Sequence, residues 1–151
     1  MRRALHAAEK NLKTLHGGPF GACVVKNGRI LAVAANTVFK DNDPSAHAEI
    51  NAIRLAARRL GDWDLSGCQI YSTCEPCPMC FSAIHWARID KVVYGAKIVD
   101  ARKAGFNELA ISCHAMKKQG KSKVKVCAGL LRVECRLIFE RWGRLENNKS
   151  Y

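Results

Sequence analysis

The sequence predicts an α/β protein: a three-layer α/β/α sandwich with a mixed five-stranded sheet covered by helices on both faces. Three observations predict it. Apolar residues recur at helical spacing in several stretches, short apolar runs lie between them, and the two patterns alternate along most of the chain. The 151 residues suit one domain spanning 1–151, with no repeat or linker.

Leu5, Ala8, Leu12 and Leu15 mark an amphipathic helix over residues 2–15, which Gly17-Gly18-Pro19 breaks. Apolar runs at 20–25 and 29–34 flank Lys26-Asn27-Gly28, a hairpin signal. Asp43-Pro44 reads as a helix start, with Asp43 the N-cap and Pro44 the first helical residue. Ile50, Ile53, Ala57 and Leu60 supply that helix's buried stripe, and Gly61 ends it. Residues 69–73 read as a buried strand, and Pro76 opens a helix that runs to about Arg88. Residues 91–96 form a valine-rich strand. Residues 100–122 are less regular, with a short helix over 108–117. A last strand covers 123–127, and Leu130, Leu131, Cys135, Ile138 and Trp142 suit a closing helix.

Composition excludes some classes. No apolar run approaches the ~20 residues of a membrane-spanning helix. Glu9 and Lys10 interrupt any secretory leader after Met1-Arg2-Arg3, so a cytoplasmic protein is expected. The net charge of +12 attracts polyanions and also serves plain solubility. Its densest runs are Lys117, Lys118, Lys121, Lys123 and Lys125, and Arg54, Arg58 and Arg59. Such runs are more often a solvated face than a binding site. Of 8 cysteines, Cys74, Cys77 and Cys80 crowd into seven residues, a spacing that suits a metal better than disulfides.

The chemistry concentrates in two segments. Asp43-Pro44-Ser45-Ala46-His47-Ala48-Glu49 carries H-x-E, and Pro76-Cys77-Pro78-Met79-Cys80 carries P-C-x-x-C. Catalytic zinc takes three protein ligands and keeps its fourth position for water. His47, Cys77 and Cys80 supply three, near helix starts where free N–H groups favour thiolates. Glu49, two residues past His47, reaches the water rather than the metal and would shuttle its protons. The plainer alternative is a structural zinc site with Cys74 as fourth ligand. Cys74 precedes Pro76 and falls at a strand end, which argues against that alternative.

These motifs resemble the cytidine-deaminase-like superfamily of nucleobase and nucleoside deaminases, from Gly17 to Tyr151. Within it the chain looks most like bacterial guanine deaminases. The supporting segments are Gly17 to Ala22, Asn42 to Glu49, Cys74 to Cys80, Ile84 to Arg88, Ala104-Gly105-Phe106 and Lys149-Ser150-Tyr151. The next likeness is to tRNA adenosine deaminases, through the zinc motifs, Val92 to Ala96, the tail 124–139 and the charge.

The first resemblance implies guanine turned to xanthine and ammonia, with zinc-bound hydroxide attacking the amine-bearing carbon. It implies that Asn36 bonds the purine, Phe20 and Trp86 wall the pocket, and the Ala48 backbone N–H contacts the base. It makes Glu108 a second proton-transfer acid, where the family often has aspartate, and Tyr151 a lid. Plainer readings stand beside these: a turn for Asn36, core for Phe20 and Trp86, a helix-start carboxylate for Glu108, a frayed end for Tyr151. A homodimer is implied, with one C-terminus completing the neighbour's pocket. The alternative activity is tRNA adenosine deamination with RNA as partner, and after it another nucleoside or cytosine.

Overall fold

The computed structural model describes residues 1–151. The chain begins with helix α1 (Arg2–Thr14), followed by strands β1 (Gly21–Lys26) and β2 (Arg29–Ala35). Asn27 and Gly28 both have positive φ, 49° and 73°, the mirror-image turn that matches strand twist. Helices α2 (Val38–Asp41) and α3 (Ala48–Leu60) lead to β3 (Cys68–Cys74), α4 (Pro78–Trp86) and β4 (Lys91–Ala96). Then come α5 (Ile98–Lys103), α6 (Cys113–Gln119), β5 (Lys125–Ala128) and α7 (Arg132–Gly143).

The five strands lie in the order β2-β1-β3-β4-β5. β1 is antiparallel to β2 and β3, whereas β3, β4 and β5 run parallel. Helices α1 and α7 pack on one face and α3 on the other, beside α4 and then α6. The sheet is therefore mixed and sandwiched, and its central strands β1, β3 and β4 are mostly buried while the edge strand β5 is largely exposed. No helix is long and apolar enough to cross a membrane.

Several boundaries differ from the sequence reading, each for a local reason. Asp43 and Pro44 do not start α3. Asp43 Oδ1 accepts from both the Ser45 N–H and the Ser45 hydroxyl, each at 2.7 Å, which holds a turn. The chain stays irregular until His47, whose extended backbone makes it the N-cap. The buried residues of α3 are Ala48, Glu49, Ile50, Ala52 and Ala56, while Leu60 is exposed. Small alanines let this helix lie close on the sheet. Pro76 likewise stays outside α4, where Cys77 is the N-cap and Pro78 the first residue.

The strand expected at 123–127 sits later, because the Lys125 N–H joins the Asp90 carbonyl at 2.8 Å. Leu131 takes a left-handed conformation, so Leu130 and Leu131 precede α7 instead of lying in its stripe. The expected 108–117 helix starts at Cys113, where the Ser112 hydroxyl accepts from the Ala115 N–H at 3.1 Å. Glu108 thus lies in the preceding loop and caps nothing.

Candidate functional site

Every segment of the site meets one edge of the sheet. Cys74 at the end of β3 pairs with Ala96 at the end of β4, and Gly21 at the start of β1 pairs with Ala35 at the end of β2. This is the carboxyl edge of the parallel strands, where open α/β sheets leave a crevice. The turn after β3 brings Cys77 and Cys80 to the start of α4, and the turn before α3 brings His47.

His47 Nδ1 lies 3.7 Å from Cys77 Sγ and 3.5 Å from Cys80 Sγ. The three donor atoms are all within 4.8 Å of one another. Tetrahedral zinc, with Zn–S near 2.3 Å and Zn–N near 2.0–2.1 Å, has N···S edges of about 3.6 Å. The donors therefore already stand at the spacing of that ion. The Cys77 thiol is lowered to about 4 by the hydrogen bond from Cys80 and by His47, against the effect of burial. Cys74 is not among the three. Its thiol points to the Lys97 carbonyl at 3.6 Å, and burial pushes it well above the usual thiol range. A fourth protein ligand is absent from the cluster.

Glu49 faces the same place from the first turn of α3. It is buried, 5% exposed, with Oε2 3.6 Å from Cys80 Sγ and Oε1 accepting from the Ser72 hydroxyl at 2.9 Å. Burial raises the Glu49 carboxyl, and His47 partly opposes this. Ser72 stands outside the H-x-E and P-C-x-x-C segments. Its signal is the alternation of β3, which puts Cys68, Ile70, Ser72 and Cys74 on one covered face. A hydroxyl there needs a buried partner, and Glu49 is that partner.

Asn36 is 1% exposed, and its own bonds aim its amide. Oδ1 accepts from the Val38 N–H at 3.1 Å, which leaves Nδ2 to donate to the Tyr151 hydroxyl. Gly17 makes room for it: a Cβ there would fall 2.1 Å from Asn36 Oδ1. Asn11, another residue the sequence did not flag, donates to the carbonyls of Gly18 and Asn36 at 2.9 and 2.7 Å. Ala48 is the first residue of α3, so its N–H has no helical acceptor.

The C-terminus folds over its own chain's site. The Tyr151 ring stands edge-on to Phe39 and Phe106, with centroids 5.5 and 5.7 Å away, and 5.9 Å from His47. Its carbonyl accepts from the Asn107 N–H at 2.9 Å. Glu108 is next in that loop, half-buried. Burial, then the charge of Cys77, raises its carboxyl to about 7.

Two expected pocket walls lie elsewhere. Trp86 ends α4, 76% exposed. The helix starts at the cluster and runs away from it, carrying Trp86 about 13 Å beyond Cys77. Phe20 sits in the core, its ring edge-on to Phe106 at 4.8 Å and Phe139 at 5.5 Å. It backs Phe106, which in turn touches Tyr151.

Glu75 ties the site together. Its buried carboxylate accepts from the Ile98 N–H at 3.3 Å and the Cys113 N–H at 3.0 Å, the first residues of α5 and α6. Cys113 Sγ also donates to the Pro76 carbonyl at 3.4 Å. One side chain next to the P-C-x-x-C segment thus fixes both ends of the stretch that carries Phe106 and Glu108.

Comparison with known proteins agrees with this arrangement. Residues 1–96 match the cytidine and deoxycytidylate deaminase zinc-binding region. The chain is 40% identical to guanine deaminase of Bacillus subtilis over all 151 residues, covering 96% of that protein. The solved guanine deaminase of Nitrosomonas europaea superposes with TM-score 0.85 at 30% identity, covering 94% of this chain and 81% of that one. A structure from work on A-to-I editing by tRNA:A34 deaminases gives TM-score 0.80 at 35% identity, covering 91% and 96%. With its H-x-E and P-C-x-x-C segments brought to one edge of such a sheet, the chain belongs to the cytidine and deoxycytidylate deaminase family of hydrolytic deaminases.

Proposed function

We propose that the chain binds zinc through His47, Cys77 and Cys80 and hydrolyses the exocyclic amine of a free purine base, guanine first, giving xanthine and ammonia. The observation that carries the free-base reading is the position of Tyr151, in contact with Asn36 and beside His47. A base held in a strand needs this tail displaced, whereas a free base brings no attached strand that must pass it. The likeness to the Bacillus subtilis guanine deaminase runs through the same tail.

Bound zinc supplies the Lewis acidity that makes water nucleophilic near neutral pH. Glu49 takes a proton from the attacking water as the new C–O bond forms, and delivers it to the adjacent ring nitrogen. It then passes the second water proton to the amine, the C–N bond breaks and ammonia leaves. The Ser72 hydroxyl holds one carboxylate oxygen so that the other faces the reacting carbon. Asn36 Nδ2 and the Ala48 N–H orient the base, Glu108 exchanges a proton with the leaving amine, and Tyr151 excludes water.

Ammonia release from guanine, guanosine, adenosine, cytosine and a tRNA, with zinc-loaded protein, tests the choice. Fastest turnover on guanine is expected. Turnover confined to the tRNA supports the second reading, RNA adenosine deamination, which the 35%-identical tRNA:A34 deaminase structure and the net charge of +12 favour.

A further inference from the structure

The opposite edge of the sheet holds a second cleft, unlike the first in chemistry. It encloses about 500 Å³ and is lined by His85, Arg88, Asp90, Lys121, Lys123 and Lys125, with Ile89 and Val124 at its floor. Asp90 precedes β4 and Lys125 begins β5, so these residues lie a strand's length, about 20 Å, from the site-bearing edge, and His85 lies about 12 Å along α4 from Cys77. Its volume is that of a small-molecule site.

The lysines are set by the fold. Burial alternates along 121–125: Ser122 and Val124 are buried, while Lys121, Lys123 and Lys125 are exposed. The Ser122 hydroxyl is tied to His85 Nδ1 at 3.0 Å and to the Val124 N–H at 3.4 Å, which fixes this comb against α4. None of the three lysines enters an ion pair. The lone carboxylate of the lining, Asp90, accepts from the Gly67 N–H at 3.1 Å. Arg88 forms a fixed wall, paired with Asp64 at 2.8 Å and stacked 4.7 Å over Trp63. Next to His85, the exposed ring of Trp86 offers an apolar face. Unpaired cations in a concave site attract anions, and the Trp86 ring, outside the lining but next to its His85, offers a stacking surface for a base.

We propose that this cleft binds the phosphate groups of a nucleotide, free or within a single strand, at a site separate from the zinc cluster. Binding of ATP and of a labelled ten-residue oligouridylate to the zinc-loaded chain at low salt tests it. The comparison is between K121E/K123E/K125E, its milder form K121Q/K123Q/K125Q, and an equal reversal on α1, R2E/K10E/K13E. The expected result is that at least one probe binds, that the cleft reversal weakens it tenfold or more and more than the α1 reversal does, and that ammonia release from guanine is unchanged. Tighter binding of the strand assigns the phosphates to RNA, with log affinity falling against log salt at a slope of about −2 for three contacts. Tighter or equal binding of ATP assigns them to a free nucleotide. No binding of either probe overturns the proposal, as does a cleft variant that loses no more than the α1 variant.

Discussion

Glu108 shows how one half-buried carboxyl couples stability to pH. Burial and the charge of Cys77 raise it from 4.5 to about 7, so the folded chain holds this proton more tightly than the unfolded chain. Between those values the folded state binds more protons, and stability falls as pH rises. In the metal-free protein, Glu108→Gln should therefore lose less stability than the wild type between pH 5 and pH 8. Urea denaturation at the two pH values checks this; equal losses would mean that Glu108 is not held protonated. Glu49, His47, Cys77 and Cys80 were legible because their spacing carries the chemistry in one dimension. Ser72 and Asn11 were not, since a serine in a strand and an asparagine in a helix acquire meaning only when a distant residue meets them. Trp86 on the surface and Phe20 in the core, where pocket walls were expected, reflect the converse. An aromatic's identity says that it packs but not against what.

At the scale of elements, Glu75 has the largest consequence. Replacing it with alanine leaves the first N–H groups of α5 and α6 unpaired in the interior, each worth about 1–3 kcal/mol. Glu75→Ala should destabilise the chain by about 3 kcal/mol and weaken zinc retention against a chelator, while Glu75→Gln keeps one acceptor and loses less. Urea midpoints and zinc content after dialysis measure both effects, and an alanine variant as stable as wild type would contradict the role. The long elements were legible from periodicity, and residues 91–96 form a strand as expected. The short α2 and α5 were not, because four and six residues are too few to show a period. Asp43 misled because an Asp-Pro pair suits both a helix cap and a turn, and only the Ser45 contacts decide between them.

Across the whole molecule, Tyr151 packs against residues that lie far from it in sequence. Tyr151 lies 115 positions from Asn36 in sequence, yet the two touch. Removing Tyr151 should lower kcat/KM for guanine at least tenfold with zinc content unchanged, as steady-state kinetics and metal analysis would show. The layered architecture was legible from the alternation of patterns, whereas the strand order was not: residues 21–26 pair with both β2 and β3, and an apolar run does not specify which strands it will meet. The proposed mechanism needs Glu49 to move protons beside a metal that it does not ligate. The direct measurement is zinc per chain and ammonia release from guanine for the wild type and Glu49→Ala. Equal zinc in both and a ~10²–10⁴-fold loss of turnover in the variant are expected. Wild-type turnover retained by Glu49→Ala would contradict the mechanism.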